Sequence, residues 1–80
     1  MITLYSTEGC HLCEQAYELL VQSGIQDKTA VTDIAFDDEL FSRYGVTIPV
    51  VSTGNSELGW PFDLQELQQW LKKNGITYHS

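Results

Sequence analysis

Two cysteines separated by two residues, Cys10 and Cys13, constrain this chain more than any other feature, because of what surrounds them. Ile2 and Leu4 alternate with Thr3 and Tyr5 in the period of two that marks a strand. Ser6 to Gly9 then read as a turn, and the first cysteine follows at once. From His11 to Ser23, Leu12, Ala16, Leu19 and Leu20 recur at helical spacing on one face, with Gly24 placed to end the helix. Cys10 is therefore expected at a helix N-cap, with Cys13 one turn further on.

That placement points to chemistry rather than to a structural staple. A bond across C-x-x-C closes a very short loop, and the entropic gain from a crosslink grows with loop length. A thiolate is the reactive form of cysteine, and unpaired N–H groups at a helix N-terminus favour it over the thiol. A second sulfur one turn away can then cleave a mixed disulfide formed on the first. The competing use is half of a zinc site, which wants four ligands. The remaining candidates of suitable softness, His11 and His79, lie far apart in sequence, so no metal site is expected. His11 either stabilises the Cys10 thiolate or points into solvent from the first helical turn, and the residues leave both open.

The rest of the chain completes one sheet. Ala30 to Phe36 reads as a second extended run, followed by Asp37 as cap of a short helix carrying Leu40, Phe41 and Tyr44, with Gly45 as its stop. Val46 to Ser52 is rich in β-branched residues and is broken only by Pro49, which is either cis or a trans proline on an edge strand. Thr53 to Ser56 suit the turn of a hairpin leading to a fourth strand, Glu57 to Trp60. Asp63 and Glu66 have capping-box spacing before an apolar face of Leu64, Leu67, Trp70 and Leu71, and Lys72, Lys73 and Gly75 suit the helix end. The expected order is βαβαββα, with a right-handed crossover between parallel strands and two antiparallel ones added. At these spacings Trp60, Trp70, Tyr5 and Tyr44 read mainly as core aromatics, with Tyr5 the best candidate for a binding role.

Eighty residues, 42% of them apolar, fit a single domain spanning 1–80 with a modest core. Eleven acids oppose four bases for a net charge of -7, which repels polyanions, so nucleic acid is not an expected partner. MITLYS carries neither a basic start nor a long apolar run, and the expectation is a cytoplasmic monomer with no membrane contact. Such a compartment keeps thiols reduced.

YSTEGCHLC after a first strand, TIPV after the second helix, and a glycine and an acid before the last helix resemble the glutaredoxins of the thioredoxin superfamily. TIPVV followed by ELGWPFDLQELQQWL is similar to small bacterial glutaredoxin-like proteins with a WPFD segment, over Ile2 to about Leu71. The resemblance implies an α/β fold with a four-stranded mixed sheet flanked by helices on both faces. It implies Cys10 as nucleophile, Cys13 as resolving cysteine, and a cis Pro49 facing them. A cis Pro49 would leave the backbone groups of Ile48 free to pair with a peptide or with glutathione. Substrate contacts then fall on Ile48, Pro49, Tyr5 and His11, and glutathione contacts on Val50, Gly59 and Asp63.

The chain departs from that pattern in informative places. Thr7 stands where many glutaredoxins carry a lysine for a glutathione carboxylate, and Gly59 and Trp60 replace a pair of glycines. Leu4 stands where thioredoxins carry a buried acid, and C-H-L-C lacks the usual proline or glycine. Glu8 and Glu14 each lie within a turn of a cysteine and oppose thiolate formation. A Cys10 pKa towards the upper end of the ~3.5 to 7.5 range of activated cysteines is expected.

The leading functional expectation is thus a dithiol oxidoreductase acting on a disulfide-containing protein or a small thiol substrate, with no bound cofactor and glutathione as a possible reductant. Two binding-module alternatives stand beside it: a carrier of a metal or iron-sulfur cluster, and a redox-inactive peptide-binding partner.

Overall fold

A computed structural model describes residues 2–78. Strand β1 (Ile2–Ser6) leads into helix α1 (His11–Gln22), a 3-10 turn (Gln26–Lys28) and strand β2 (Thr29–Asp33). A second 3-10 turn (Ile34–Phe36) precedes helix α2 (Asp38–Tyr44), then the hairpin of β3 (Val50–Ser52) and β4 (Glu57–Gly59), and helix α3 (Leu64–Lys73). The sheet order is β2-β1-β3-β4, with β1 and β2 parallel and the other pairs antiparallel. This is the expected βαβαββα order and the expected mixed sheet.

Alternation along β1 sorts its side chains between two cores. Ile2 and Leu4 point to one face, where they pack with Val51 of β3, Ala16 and Leu20 of α1, and Leu67, Trp70 and Leu71 of α3. Tyr5 points to the other, joining Val50, Ile34 and Tyr44 with Leu40 and Ile48 at the margin. Helices α1 and α3 therefore cover one face and α2 the other. Each fully buried Leu or Ile contributes about 1.5 to 3 kcal/mol, so most of the stabilisation lies on the α1/α3 side.

The helix starts follow from their capping residues. The Asp63 carboxylate accepts from the Glu66 N–H at 2.7 Å, and that of Asp37 accepts from Glu39 and Leu40 at 3.0 and 3.2 Å. At the far end of α3, the Trp70 indole N–H donates to the Ser56 hydroxyl at 3.0 Å and ties the helix to the hairpin turn.

Four local readings need correction. The second strand ends at Asp33 rather than Phe36, because the Asp33 carboxylate accepts from the Ala35 N–H at 2.9 Å and turns the chain, leaving Phe36 89% exposed. The third strand begins at Val50 rather than Val46, which is 98% exposed. There the amides of Thr47 and Ile48 both donate to the Tyr44 carbonyl, at 2.9 and 3.1 Å, and extend the end of α2 instead of joining the sheet. Strand β4 stops at Gly59, one residue before Trp60. On α1, Leu12 is 44% exposed, and its expected place on the core face is taken by Cys13.

Candidate active site

The turn that ends β1 sets the position of the first sulfur. Gly9 has φ of 79°, a left-handed conformation that costs a residue with a Cβ about 1 to 2 kcal/mol. This glycine drops the chain onto Cys10, which is extended at φ -88° and ψ 103° and caps α1. Its sulfur accepts from the Cys13 N–H at 3.2 Å, the interaction that a serine hydroxyl makes at other helix starts. Cys10 and Cys13 are joined as a disulfide, with Cα atoms 5.2 Å apart. The two cysteines differ in exposure: Cys13 is only 2% exposed, whereas Cys10 is half-buried, and both line the cavity beside them.

A cavity of about 380 Å³ adjoins the disulfide. Its floor is Leu4, Tyr17 and Val31, and its rim is the Ser6–Cys10 turn together with Glu14. The pairing of Leu4 with Val31 across β1 and β2 puts both side chains on the α1 face of the sheet. Val31 nevertheless remains 56% exposed, since it lies on an edge strand beyond the cover of α1. A smaller adjoining hollow continues past Thr7 and Val31 to Asp33.

The opposite flank is built differently. The Ile48-Pro49 peptide is cis, as is Trp60-Pro61. Tyr5 pairs with Val50 in the sheet, so continuing that register sets Pro49 opposite Ser6, at the foot of the active turn. The Tyr5 and Tyr44 rings stack there with centroids 4.4 Å apart, and the Tyr44 hydroxyl donates to the Glu57 carboxylate. That hydrogen bond, with burial, pushes the Tyr44 phenol up to about 12. The expectation of free Ile48 backbone groups fails for the amide, which is already bonded to Tyr44. The Pro49 carbonyl likewise accepts from the Trp60 N–H at 3.2 Å.

These two flanks carry a family resemblance over nearly the whole chain. The family model described as a glutaredoxin-like domain (DUF836) matches residues 1–72. The chain belongs to this glutaredoxin-like family. The X-ray structure of structural-genomics target protein XcR50 from X. campestris is 39% identical, with a TM-score of 0.84 over 91% of this chain and 97% of that one. The solution structure of the same target is 40% identical, with a TM-score of 0.76 over 90% and 92% of the two chains. No curated protein matches the chain. The fold is accordingly thioredoxin-like, and the cysteine pair gives this glutaredoxin-like domain the groups needed for redox chemistry.

Of the positions expected to hold glutathione in this glutaredoxin-like domain, Val50 and Asp63 have structural roles. Val50 is buried between Ile34 and Tyr44 and paired on both sides in the sheet. Asp63 caps α3, and Gly59 is exposed at the end of β4. His11 points into solvent, with Nδ1 3.6 Å from Glu14 Oε2, a pairing that carries charge only when the imidazole is protonated. Among the described residues no group of three or more His, Cys, Asp or Glu is arranged to hold a metal ion, and no helix is long and apolar enough to cross a membrane. His79, weighed above as a zinc ligand, lies outside the described residues.

Sequence reasoning singled out Thr7, Glu8 and Glu14 but missed Tyr17 and Val31. Tyr17 follows Cys13 by four residues and so shares its side of the helix, a signal that was available. Val31 could be found only by knowing which strand lies at the sheet edge.

Proposed function

We propose that this protein is a dithiol-disulfide oxidoreductase in which Cys10 attacks and Cys13 resolves. The observation that supports it best is the asymmetry of the pair: a half-buried cysteine at the positive end of α1, its sulfur bonded by a backbone N–H, linked to a buried cysteine one turn away. In the reduced protein the Cys10 thiolate attacks one sulfur of a substrate disulfide. The substrate S–S bond breaks, one substrate thiolate leaves and takes a proton from water, and a mixed disulfide forms. The Cys13 thiolate then attacks the Cys10 sulfur, releasing the second substrate thiol and regenerating the protein disulfide. Two electrons pass from the dithiol to the substrate, and a small thiol such as glutathione, or a reductase, returns them.

The macrodipole and the Cys13 N–H favour the Cys10 thiolate, while Glu8 and Glu14 oppose it. A disulfide-containing protein or small disulfide is the substrate, in a compartment that keeps thiols reduced, such as the cytoplasm. The test is reduction of insulin or a small disulfide by the wild type and by two variants. Cys10→Ser should abolish turnover, and Cys13→Ser should accumulate a covalent adduct of one substrate half on Cys10. Undiminished turnover by the first variant would overturn the assignment.

A further inference from the structure

The cavity beside the disulfide carries more information than the cysteines alone, because floor and rim differ in chemistry. The floor is apolar: Leu4 at the base, Tyr17 on one wall, and Val31 open to solvent at the sheet edge. The rim is acidic: Glu8 on the active turn and Glu14 on α1 line the cavity, and Asp33 closes the adjoining hollow at the end of β2. None of the four basic residues lines either hollow. Lys28 precedes β2 at the other end of the sheet, Arg43 lies over the Tyr44 ring behind it, and Lys72 and Lys73 end α3. Among the described residues, the opposing positive feature is the N-terminal pole of α1, equivalent to about half a charge.

Resting on the dithiol reading above, we propose that this site selects cationic polypeptide disulfides: segments with Lys or Arg flanking the reactive cystine and an apolar side chain beside it. The apolar neighbour lies on Leu4, Tyr17 and Val31, while the flanking cations meet Glu8, Glu14 and Asp33. The open edge of β2, paired only with β1, runs alongside and leaves room for an extended segment. The same rim disfavours disulfides with carboxylates near the sulfur, oxidised glutathione among them, and Thr7 supplies no positive anchor to offset this. The charge acts on encounter and on the mixed disulfide, and the exchange keeps the atom and electron balance given above.

The test uses two symmetric disulfide peptides, Lys-Leu-Cys-Leu-Lys and Glu-Leu-Cys-Leu-Glu, mixed with the reduced full chain. The rate of protein oxidation is divided by the rate of dithiothreitol with the same peptide, which removes the intrinsic reactivity of each disulfide. The measurement is made at pH 8. At ~20 mM salt the lysine peptide should be favoured by roughly tenfold or more, and at ~0.5 M salt by less than about threefold, as screening shortens the reach of the rim. The triple variant Glu8→Gln, Glu14→Gln, Asp33→Asn should show the reduced preference at low salt. Asn still accepts the Ala35 N–H, so the turn after β2 is kept.

A control with the same net charge, Asp27→Asn, Glu39→Gln, Glu66→Gln, alters acids that line neither hollow and should retain the wild-type preference. Equal loss in both triple variants would assign the effect to overall charge and overturn the proposal, as would a preference for the glutamate peptide. Oxidation by neither peptide would instead overturn the dithiol reading itself.

Discussion

The two flanks of the disulfide are built from the same short strand yet serve opposite ends. On the α2 side, Tyr5 stacks on Tyr44, Tyr44 bonds Glu57, and the Ile48 amide is taken up by the Tyr44 carbonyl, so groups that could meet a ligand are spent on one another. On the α1 side, Leu4, Tyr17 and Val31 leave an apolar hollow against the sulfurs. This thioredoxin-like fold thus keeps a cysteine turn and a cis Pro49 with its open surface on the α1 side of the turn. The closed flank should answer mutation through stability, and the open flank through reactivity.

The largest effect expected from that contrast is at Tyr44. Tyr44→Ala removes a buried ring, its stack with Tyr5 and its hydrogen bond, and should lower unfolding stability by about 3 to 5 kcal/mol in urea titration. Tyr17→Ala, on the exposed wall, should cost under about 1 kcal/mol in the same titration while slowing reaction with apolar disulfides. Comparable losses at the two tyrosines would break the contrast.

Tyr44→Phe is the finer probe, leaving the ring and removing the bond to Glu57, for about 1 kcal/mol. The pH dependence has a definite sign. The phenol pKa is raised to about 12 in the fold from its ordinary value of 10.0, so the stabilisation is fully present below pH 10. It is lost as pH rises through the folded value, and the gap between wild type and Tyr44→Phe should narrow across that window. A gap constant up to pH 12 would remove the Glu57 bond as its origin.

Gly9→Ala should cost about 1 kcal/mol through the left-handed backbone alone, since a Cβ there meets no atom within 4 Å. The smallest effect belongs to His11→Ala, within about 0.5 kcal/mol, because its one ionic partner among the described residues is an exposed glutamate. A loss of stability well beyond that would show a contact of His11 that the structure does not contain.

What was legible in the sequence was what local rules determine. Asp63 with Glu66, the apolar period of Leu67, Trp70 and Leu71, and the strand-turn-cysteine run each specify their structure within a few residues, and α3 and the Cys10 cap follow directly. Features set by distant segments were not legible. Val46 and Ile48 look like strand residues by type, but the Tyr44 carbonyl captures the chain there and delays the strand to Val50. The cavity arises because pairing places Val31 beside Leu4 while α1 crosses above, and no spacing within either segment encodes that meeting. Leu12 was expected on the core face and Cys13 takes that place for the same reason: the helix period fixes a stripe, and only packing fixes which way it faces.

The central claim is that one sulfur of the pair is offered to solvent as a nucleophile while the other waits beneath it. The most direct test is alkylation of the reduced protein at neutral pH with a single equivalent of iodoacetamide, followed by peptide mass spectrometry. The label is expected on Cys10 with Cys13 left free; labelling of Cys13 in preference, or of both to the same extent, would contradict the assignment.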